Sequence, residues 1–246
     1  MITNTKIETE TKPTKSLAFL KNLPLFNKWQ DEDIQRFAQA AQLKNYSKGQ
    51  VLYLEGETAE FFYIICTGWV KLFHTTEEGE EAILTIISKD STTGEHAIFE
   101  HGCYTNSAQI VEEAHILILP LKLLHDELQS NNQLAFNMLS SMLQYQRRYE
   151  LQLKQHVLYS APQRIGCFLL GLCPEWEQKD GVRLDLPYDK SLIASTLGMK
   201  GATFSRALNI LREETGITII GTKIVIESME RLKNFVDGCY SSYPHM

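Results

Sequence analysis

The stretch "LIASTLGMKGATFSRALNILREETG", Leu192 to Gly216, holds two short amphipathic patterns separated by Gly198. On the second pattern, a rotation of about 100° per residue places Phe204, Leu208 and Leu211 on one face. The preceding pattern turns three apolar residues inward: Ile193, Ala194 and Leu197. Two short helices that pack across a glycine turn predict a helix-turn-helix.

The opposite face of the second helix carries small, polar and basic side chains. Arginine can form a bidentate pair with guanine, and serine can donate to or accept from a base or a phosphate. The strands after Gly216, with "GTK" (221–223) as their turn, predict a wing that brings a lysine to the DNA backbone. The residues predicted to contact double-stranded DNA are Lys200, Ala202, Thr203, Ser205, Arg206, Asn209 and Lys223.

The formal charge of −6 over 246 residues argues against nucleic-acid binding only if the charge is evenly spread. From Ser160 to Met246 the sequence has ten basic and ten acidic residues, so the N-terminal part carries the excess. The segment from Leu186 to Arg212 contains four basic residues and one acidic residue, which gives a local charge of +3. DNA responds to such a local patch rather than to the average of the chain.

Residues 43–119 follow a different pattern, with short strands between glycine turns. The segments are "QVLYLEG", "EFFYIICTGWVKLF", "EEAILTII", "SAQIV" and "HILIL". Short strands between turn signals predict a β-roll or sandwich. A helical stretch broken at "LPLF" (23–26) precedes them. The predicted fold class is therefore α+β, with an N-terminal β-roll of the cyclic-nucleotide-binding jelly-roll kind, a long dimerisation helix and a C-terminal winged helix-turn-helix.

A helix from about Gln133 to Tyr159 has two apolar stripes. The first alternates by four and three residues, as two packed helices require, and predicts a dimer interface of Met138, Met142, Tyr145, Tyr149, Gln152 and His156. Gln152 is a polar interruption expected to fix the register or to meet an effector. The second stripe, predicted to cover the β-roll, is Leu139, Leu143 and Leu153. The alternative is a helix buried within its own domain.

These patterns predict a flexible tail (1–15), a sensor domain (16–130), the long helix (131–159) and a DNA-binding domain (160–246). No apolar run is long enough for a membrane span, and the N-terminus lacks the apolar core of a signal peptide. Five irregularly spaced cysteines favour a reducing compartment over a disulfide framework. A cytoplasmic location without membrane contact is expected.

From Leu17 to Phe235 the chain resembles the Crp/Fnr superfamily of transcription regulators. The resemblance is carried by "KGQVLYLEGETAEFFYIICTGWVKLF", "TGEHAIF" and "LPYDKSLIASTLGMKGATFSRALNILRE". It implies a homodimer that binds a two-fold symmetric promoter site, contacts RNA polymerase, acts as an activator and senses a signal in its roll. The family commonly has a glutamate at the position of Ala202, so weaker discrimination is expected at the base pair which that carboxylate would read.

The resemblance places an effector pocket at Gly94, Glu95, His96, Asn106, Ser107 and Tyr145. Members that bind cyclic nucleotides have an arginine before the serine of the phosphate-binding segment, whereas this chain has Asn106 there. Without that bidentate partner, binding of cyclic AMP is not expected. No iron–sulfur cluster is expected either, because Cys66 and Cys103 cannot supply four thiolates.

The segment "GEHAIFEHGCYTNSAQIVEEAHIL" is similar to the Dnr-type branch, which regulates dissimilatory nitrate respiration and is associated with haem and nitric oxide. Haem sensing is therefore a hypothesis, with the metal ligand undetermined. The candidate axial ligands by location are His74, His96, His101, Met138, Met142, Tyr145 and His156.

Two other classes of protein are alternatives to a regulator. A metal oxygenase built on the roll would need a facial cluster of ligands, and the only candidates have no recognisable spacing: His74, Glu95, His96 and His101. No activated serine, Cys–His pair or P-loop is present, so no catalytic residue is predicted. A cyclic-nucleotide-binding adaptor that does not act through DNA is the remaining alternative, and the Ser205-Arg206 helix argues against it.

Overall fold

The computed structural model describes residues 13–173, 181–185, 190–220 and 223–236. The chain forms two compact units that divide between Met142 and Leu143. Residues 1–12 of the predicted tail, and Gly221 and Thr222 of the predicted wing turn, lie outside the described residues. A helix already begins at Pro13, a residue whose fixed φ suits a first helical turn.

The first unit begins with helices α1 (Pro13–Lys21) and α2 (Asp31–Ala40), with a 3₁₀ turn at Pro24–Phe26 between them. Three acidic residues open α2, where they complement the helix dipole. The rings of Phe26, Trp29 and Phe37 pack edge to face, with centroids 5.0–5.4 Å apart. The predicted helical stretch broken at "LPLF" is confirmed.

The β-roll of the first unit is antiparallel throughout. Its strands are β1 (Gln42–Tyr46), β2 (Val51–Tyr53), β3 (Phe61–Thr75), β4 (Glu81–Ile87), β5 (Thr92–Thr93) and β6 (Ser107–Pro120). Strand β3 pairs with β4, β5 and β6, and β6 also pairs with β1 and β2. The fold class predicted from the sequence is confirmed.

One strand prediction is wrong, because "SAQIV" and "HILIL" are parts of the single strand β6. The polar residues between them, Glu112 and Glu113, are exposed and do not interrupt the pairing. Strand β3 pairs with β6 from Phe61↔Pro120 to Phe73↔Ser107, with register shifts between Ile65 and Val70. Those irregularities let both long strands bend without ending.

Gly68 allows this bend. Its φ is +87°, and a Cβ built there would lie 2.5 Å from the carbonyl oxygen of Glu113 and 2.6 Å from the Cβ of Ala114. Only glycine combines that backbone conformation with so close an approach of β6.

Helices α3 (Leu121–Leu128) and α4 (Asn132–Leu158) follow the roll. The first turns of α4 belong to the core of the first unit, because Leu134 and Met138 are buried there. The buried Asn137 amide also donates to the carbonyl oxygens of Leu25 (3.0 Å) and Asn27 (2.9 Å). The core of the first unit therefore includes residues of the long helix beyond position 130.

The two stripes of α4 also differ from the prediction. Met138 is only 4% exposed, in the sensor core, so it is not available to a second protomer. The stripe predicted to cover the roll is exposed instead, with Leu139 at 61%, Leu143 at 57% and Leu153 at 66%. Met142 (42%) and Tyr149 (52%) of the predicted seam are also exposed, so the burial of Met138 argues only against that one residue.

The second unit contains helices around a small antiparallel sheet. Its elements after α4 are α5 (Ala161–Gly171), β7 (Val182–Asp185), α6 (Lys190–Thr196), α7 (Gly201–Thr215), β8 (Thr218–Ile220), β9 (Lys223–Ile226) and α8 (Met229–Phe235). The strand order is β7-β9-β8. Ser160 and Gln163 form a capping box at the start of α5. None of the helices in the described ranges is long and apolar enough to cross a membrane.

The cysteines match only in part the expectation of a chain without a disulfide framework. Cys66, Cys103 and Cys173 are free thiols, whereas Cys167 is disulfide-bonded. Burial raises the pKa of Cys66 to about 11, so its thiol stays protonated at neutral pH and is a poor metal ligand in that form.

We expect Gly68→Ala to destabilise the sensor unit far more than Gly79→Ala. Both glycines have positive φ, but a Cβ at Gly79 meets nothing within 4 Å. The control should lower the free energy of unfolding by about 1 kcal/mol through φ alone, and Gly68→Ala by about 3 kcal/mol because the clash with β6 is added. Urea unfolding measures both values, and equal losses would contradict the proposed role of Gly68.

Candidate nucleic-acid interface and sensor site

The helix-turn-helix consists of α6, a four-residue turn and α7. Phe204, Leu208 and Leu211 are buried on one side of α7, and Ile193, Ala194 and Leu197 are buried beneath α6, as the periodicity predicts. Gly198 in the turn has φ +61°. Helix α7 ends at Gly216, which has φ +75° and donates its N–H to the Arg212 carbonyl. A left-handed glycine therefore ends α7, and a second one lies in the turn that precedes it.

The opposite side of α7 is open to solvent. It exposes Ala202, Ser205, Arg206, Asn209 and Glu213, with Thr203 half-buried. Arg206 forms no ion pair with any described residue, so its five donors remain available to a ligand. The Ser205 hydroxyl donates to the Gly201 carbonyl oxygen at 3.0 Å, which leaves the hydroxyl oxygen to act as an acceptor.

Two exposed lysines flank this face in the sequence. Lys200 is the N-cap residue of α7, and Lys223 begins β9, opposite Ile220 of β8. Neither lysine pairs with a carboxylate among the described residues. The first three turns of α7 carry no acidic side chain, so the surface is suited to a polyanion.

The predicted sensor residues of the first unit lie in two connected segments. Gly94 has φ +87° and leads into a 3₁₀ turn at Glu95–Phe99. Asn106 and Ser107 lie at the start of β6. Tyr53 joins the two segments, because its hydroxyl hydrogen-bonds to Thr93 and donates to Asn106 Oδ1 at 3.3 Å.

Three tyrosines that the sequence analysis did not select fill this part of the roll. The Tyr53 ring stacks on Tyr104, with centroids 3.9 Å apart, and on Tyr63 at 5.5 Å. The Tyr104 hydroxyl donates to the Phe61 carbonyl oxygen at 2.7 Å. Burial raises the pKa of the Tyr63 and Tyr104 hydroxyls, so both stay neutral at physiological pH. No short motif marks them, because they come from three separate strands and loops.

Among the predicted sensor residues, Glu95 has a buried carboxylate oxygen that lacks a hydrogen-bond donor. It is 4% exposed, and its Oε1 accepts from the Thr92 hydroxyl at 2.8 Å. Its Oε2 is buried and has no hydrogen-bond partner within the described part of the chain. Ser107 Oγ accepts the Glu55 backbone N–H at 3.0 Å. A buried acceptor without a donor favours a ligand that brings one.

The candidate metal ligands are not brought together. His74 pairs with Glu55, His96 lies 3.6 Å from Glu95, and Met138 is in the core. His156 is hydrogen-bonded to Arg164. No three described His, Cys, Asp or Glu side chains form a group that could hold a metal ion. The described residues therefore give no support to a particular haem ligand or to an oxygenase cluster.

Tyr145, also predicted for the pocket, is half-buried on α4.

Comparison with known families gives two matches. Residues 43–131 match the cyclic nucleotide-binding domain, and residues 163–235 match the Crp-like helix-turn-helix domain. The first match covers most of the β-roll, and the second covers the described helix-turn-helix and wing strands.

Similar proteins are transcription regulators. The chain is 26% identical over 190 residues to a CRP-like cAMP-activated global transcriptional regulator of Mycobacterium tuberculosis, covering 76% of this chain and 85% of that protein. It is 30% identical to DNR from Pseudomonas aeruginosa, covering 92% and 99% of the two chains with a TM-score of 0.50. FixK2 from Bradyrhizobium japonicum has the same fold, with 23% identity, a TM-score of 0.68, and 79% and 96% of the chains covered.

Proposed function

The chain belongs to the Crp/Fnr family of transcription regulators, and from this premise we propose that it acts as a homodimer whose two α7 helices enter successive major grooves of a palindromic promoter site. The observation that carries the proposal is the exposed, unpaired Arg206 on a helix free of acidic side chains over its first three turns. For such a regulator we expect a cytoplasmic location and RNA polymerase as a further partner, and the exposed Arg206 favours it over the adaptor alternative.

The side chains of α7 define a half-site. Arg206 pairs with a guanine through its O6 and N7 atoms, and Asn209 is suited to an adenine. Ala202 has no acceptor for a cytosine amino group but can contact a thymine methyl group. The half-site is therefore of the "TTG" kind, with relaxed choice at the pair next to Ala202. The two-fold axis of the dimer sets the half-sites about one helical turn apart.

We expect Arg206→Ala to weaken binding to the preferred site by about 1–3 kcal/mol and to relax the choice at one base pair. Lys200→Ala should weaken all sequences alike and reduce the salt slope by about one. Selection from random duplexes, followed by fluorescence anisotropy at several salt concentrations, measures both effects. An Arg206→Ala protein that selects the same site as the wild type would disprove the assignment, and a wild type that selects no site would disprove the proposed function.

The dimer interface is proposed to be the exposed stripe of α4. Its members are separated by steps of three, four, ten and four residues, and each is 57–72% exposed: Phe136, Leu139, Leu143, Leu153 and Val157. These steps fit one heptad seam, in which Gln146 and Glu150 are the polar positions. Large apolar side chains exposed along one helix face on both sides of these polar positions indicate a protein partner, and a second copy of α4 offers the matching seam.

We expect Leu143→Glu to shift the protein from dimer to monomer at micromolar concentration, because it introduces a charge into the seam of both helices. Gln144→Glu adds the same charge to an exposed neighbouring position away from the seam and serves as the control. Light scattering at several protein concentrations distinguishes the two states. A dimer that survives Leu143→Glu unchanged would place the interface elsewhere.

The signal in the roll is proposed to be a ligand other than a cyclic phosphodiester. Glu95 has no Lys or Arg partner among the described residues, and Asn106, whose Oδ1 accepts from Tyr53, supplies no positive charge to an anion. A phosphodiester placed there would lie near a buried carboxylate without a compensating cation. The free Oε2 of Glu95 instead suits a neutral or cationic donor. Its binding would shift the population of α4 packing states, and so the placement of the α7 helices.

We expect the wild type to show no binding of cyclic AMP at concentrations up to about 1 mM, which corresponds to a binding free energy weaker than about −4 kcal/mol. Asn106→Arg restores the missing guanidinium and should produce measurable binding, whereas Asn106→Gln changes size without charge and should not. Isothermal titration calorimetry compares the three proteins. Micromolar binding by the wild type would overturn this interpretation of the pocket.

A further inference from the structure

One imidazole connects the end of α4 to the turn of the helix-turn-helix within the second unit. Arg164, in the first turn of α5, donates from Nη1 to His156 Nδ1 at 2.7 Å. The same nitrogen donates to the carbonyl oxygen of Leu197 at 3.2 Å, directly after the end of α6. A single guanidinium nitrogen thus links two elements that are about 40 residues apart in sequence.

The donor chemistry fixes the state of the ring. A guanidinium has only donors, so His156 Nδ1 must be the acceptor, and the neutral ring carries its proton on Nε2. The Leu197 carbonyl is one of the acceptors that a helix C-terminus leaves without an intrahelical partner. Arg164 Nε is buried and has no partner within the described ranges, so its two Nη1 bonds determine where the guanidinium lies.

The ring also lies against the turn itself. A Cβ built on Gly198 would be 2.7 Å from His156 Cε1, so the imidazole occupies the space that any other residue would need there. Gly198 has φ +61° and sits three residues before α7. The ring is therefore held by a hydrogen bond on one side and by the backbone of the turn on the other.

We propose that His156 is a positioning residue that fixes the direction of α7 relative to α4, and so the separation of the two recognition helices in the dimer. The inference rests on the proposed function, because α4 is the proposed dimer helix and α7 the proposed DNA-reading helix. If the bond is absent, each α7 still reads its half-site, but the angle between α4 and α7 is less restricted. The effect then falls on full sites and on their spacing, not on single half-sites.

Two substitutions separate the acceptor from the ring. His156→Phe keeps a flat ring against Gly198 and removes the acceptor. His156→Asn places its Oδ1 near the position of Nδ1 and retains an acceptor. Separate labelled duplexes are compared. One carries the palindrome that the wild type selects, others carry the same palindrome with one base pair inserted or removed at its centre, and the last carries a single half-site.

We expect His156→Phe to bind the palindrome about three- to ten-fold more weakly than the wild type, the range for one lost hydrogen bond. Its penalty for a changed spacing should shrink by a similar factor, and its half-site affinity should be unchanged. His156→Asn should behave like the wild type on all duplexes. Nitrogen NMR of the wild-type protein should show His156 as the neutral Nε2–H tautomer.

Three results would overturn the proposal. They are an unchanged spacing penalty in His156→Phe, an equal loss of half-site and full-site affinity, or a His156 ring that carries its proton on Nδ1. Failure of the proposed function would be different, because the wild type itself would then bind no palindrome or would bind every spacing equally. Light scattering on His156→Phe ensures that the comparison is made on dimers.

Discussion

The exposed apolar stripe of α4 is the constraint on which the proposed function depends. Five large side chains at heptad spacing are more than half exposed, from Phe136 to Val157. Each buried methylene contributes about 0.8 kcal/mol, so a second helix that covered this stripe would stabilise the proposed dimer. The proposed reading of a palindrome depends on that pairing, since a single α7 can contact only one half-site.

The charge distribution agrees with the proposed roles of the two units. The first unit has 11 basic and 19 acidic residues, whereas the second has 13 basic and 11 acidic residues and presents Lys200, Arg206 and Lys223 on its surface. An overall charge of −6 therefore does not prevent DNA binding, because screening limits the repulsion by distant carboxylates to about 8–10 Å at physiological salt. The net charge of the whole chain is a poor indicator of DNA binding when its two units have different charges and different proposed roles.

Sequence periodicity predicted which face of a helix is buried. It did not predict contacts between residues that are distant in the sequence. The buried and exposed sides of α7 follow directly from the positions of Phe204 and Arg206. On α4, two stripes one residue apart fit the heptad almost equally well, about 100° apart around the helix. The packing of Met138 against the roll removes that residue from the first stripe, whereas Met142 and Tyr149 of the same stripe are exposed. The Tyr53–Tyr104 stack and the link between His156 and Arg164 join residues that are many positions apart, so no local pattern predicts them.

The two ends of α4 are held by different kinds of contact. Its first turns are fixed by the buried Leu134 and Met138 and by two hydrogen bonds from Asn137. Truncating one such buried side chain typically costs about 2–5 kcal/mol. Its last turn includes the buried Gln155 and the exposed His156, whose ring accepts a hydrogen bond from the Arg164 guanidinium. A hydrogen bond to a charged group contributes about 1.5–3 kcal/mol, so the contacts at both ends are of similar size. In the proposed mechanism, a signal changes the placement of α7 only if its binding energy differs between the two packing states by a few kcal/mol.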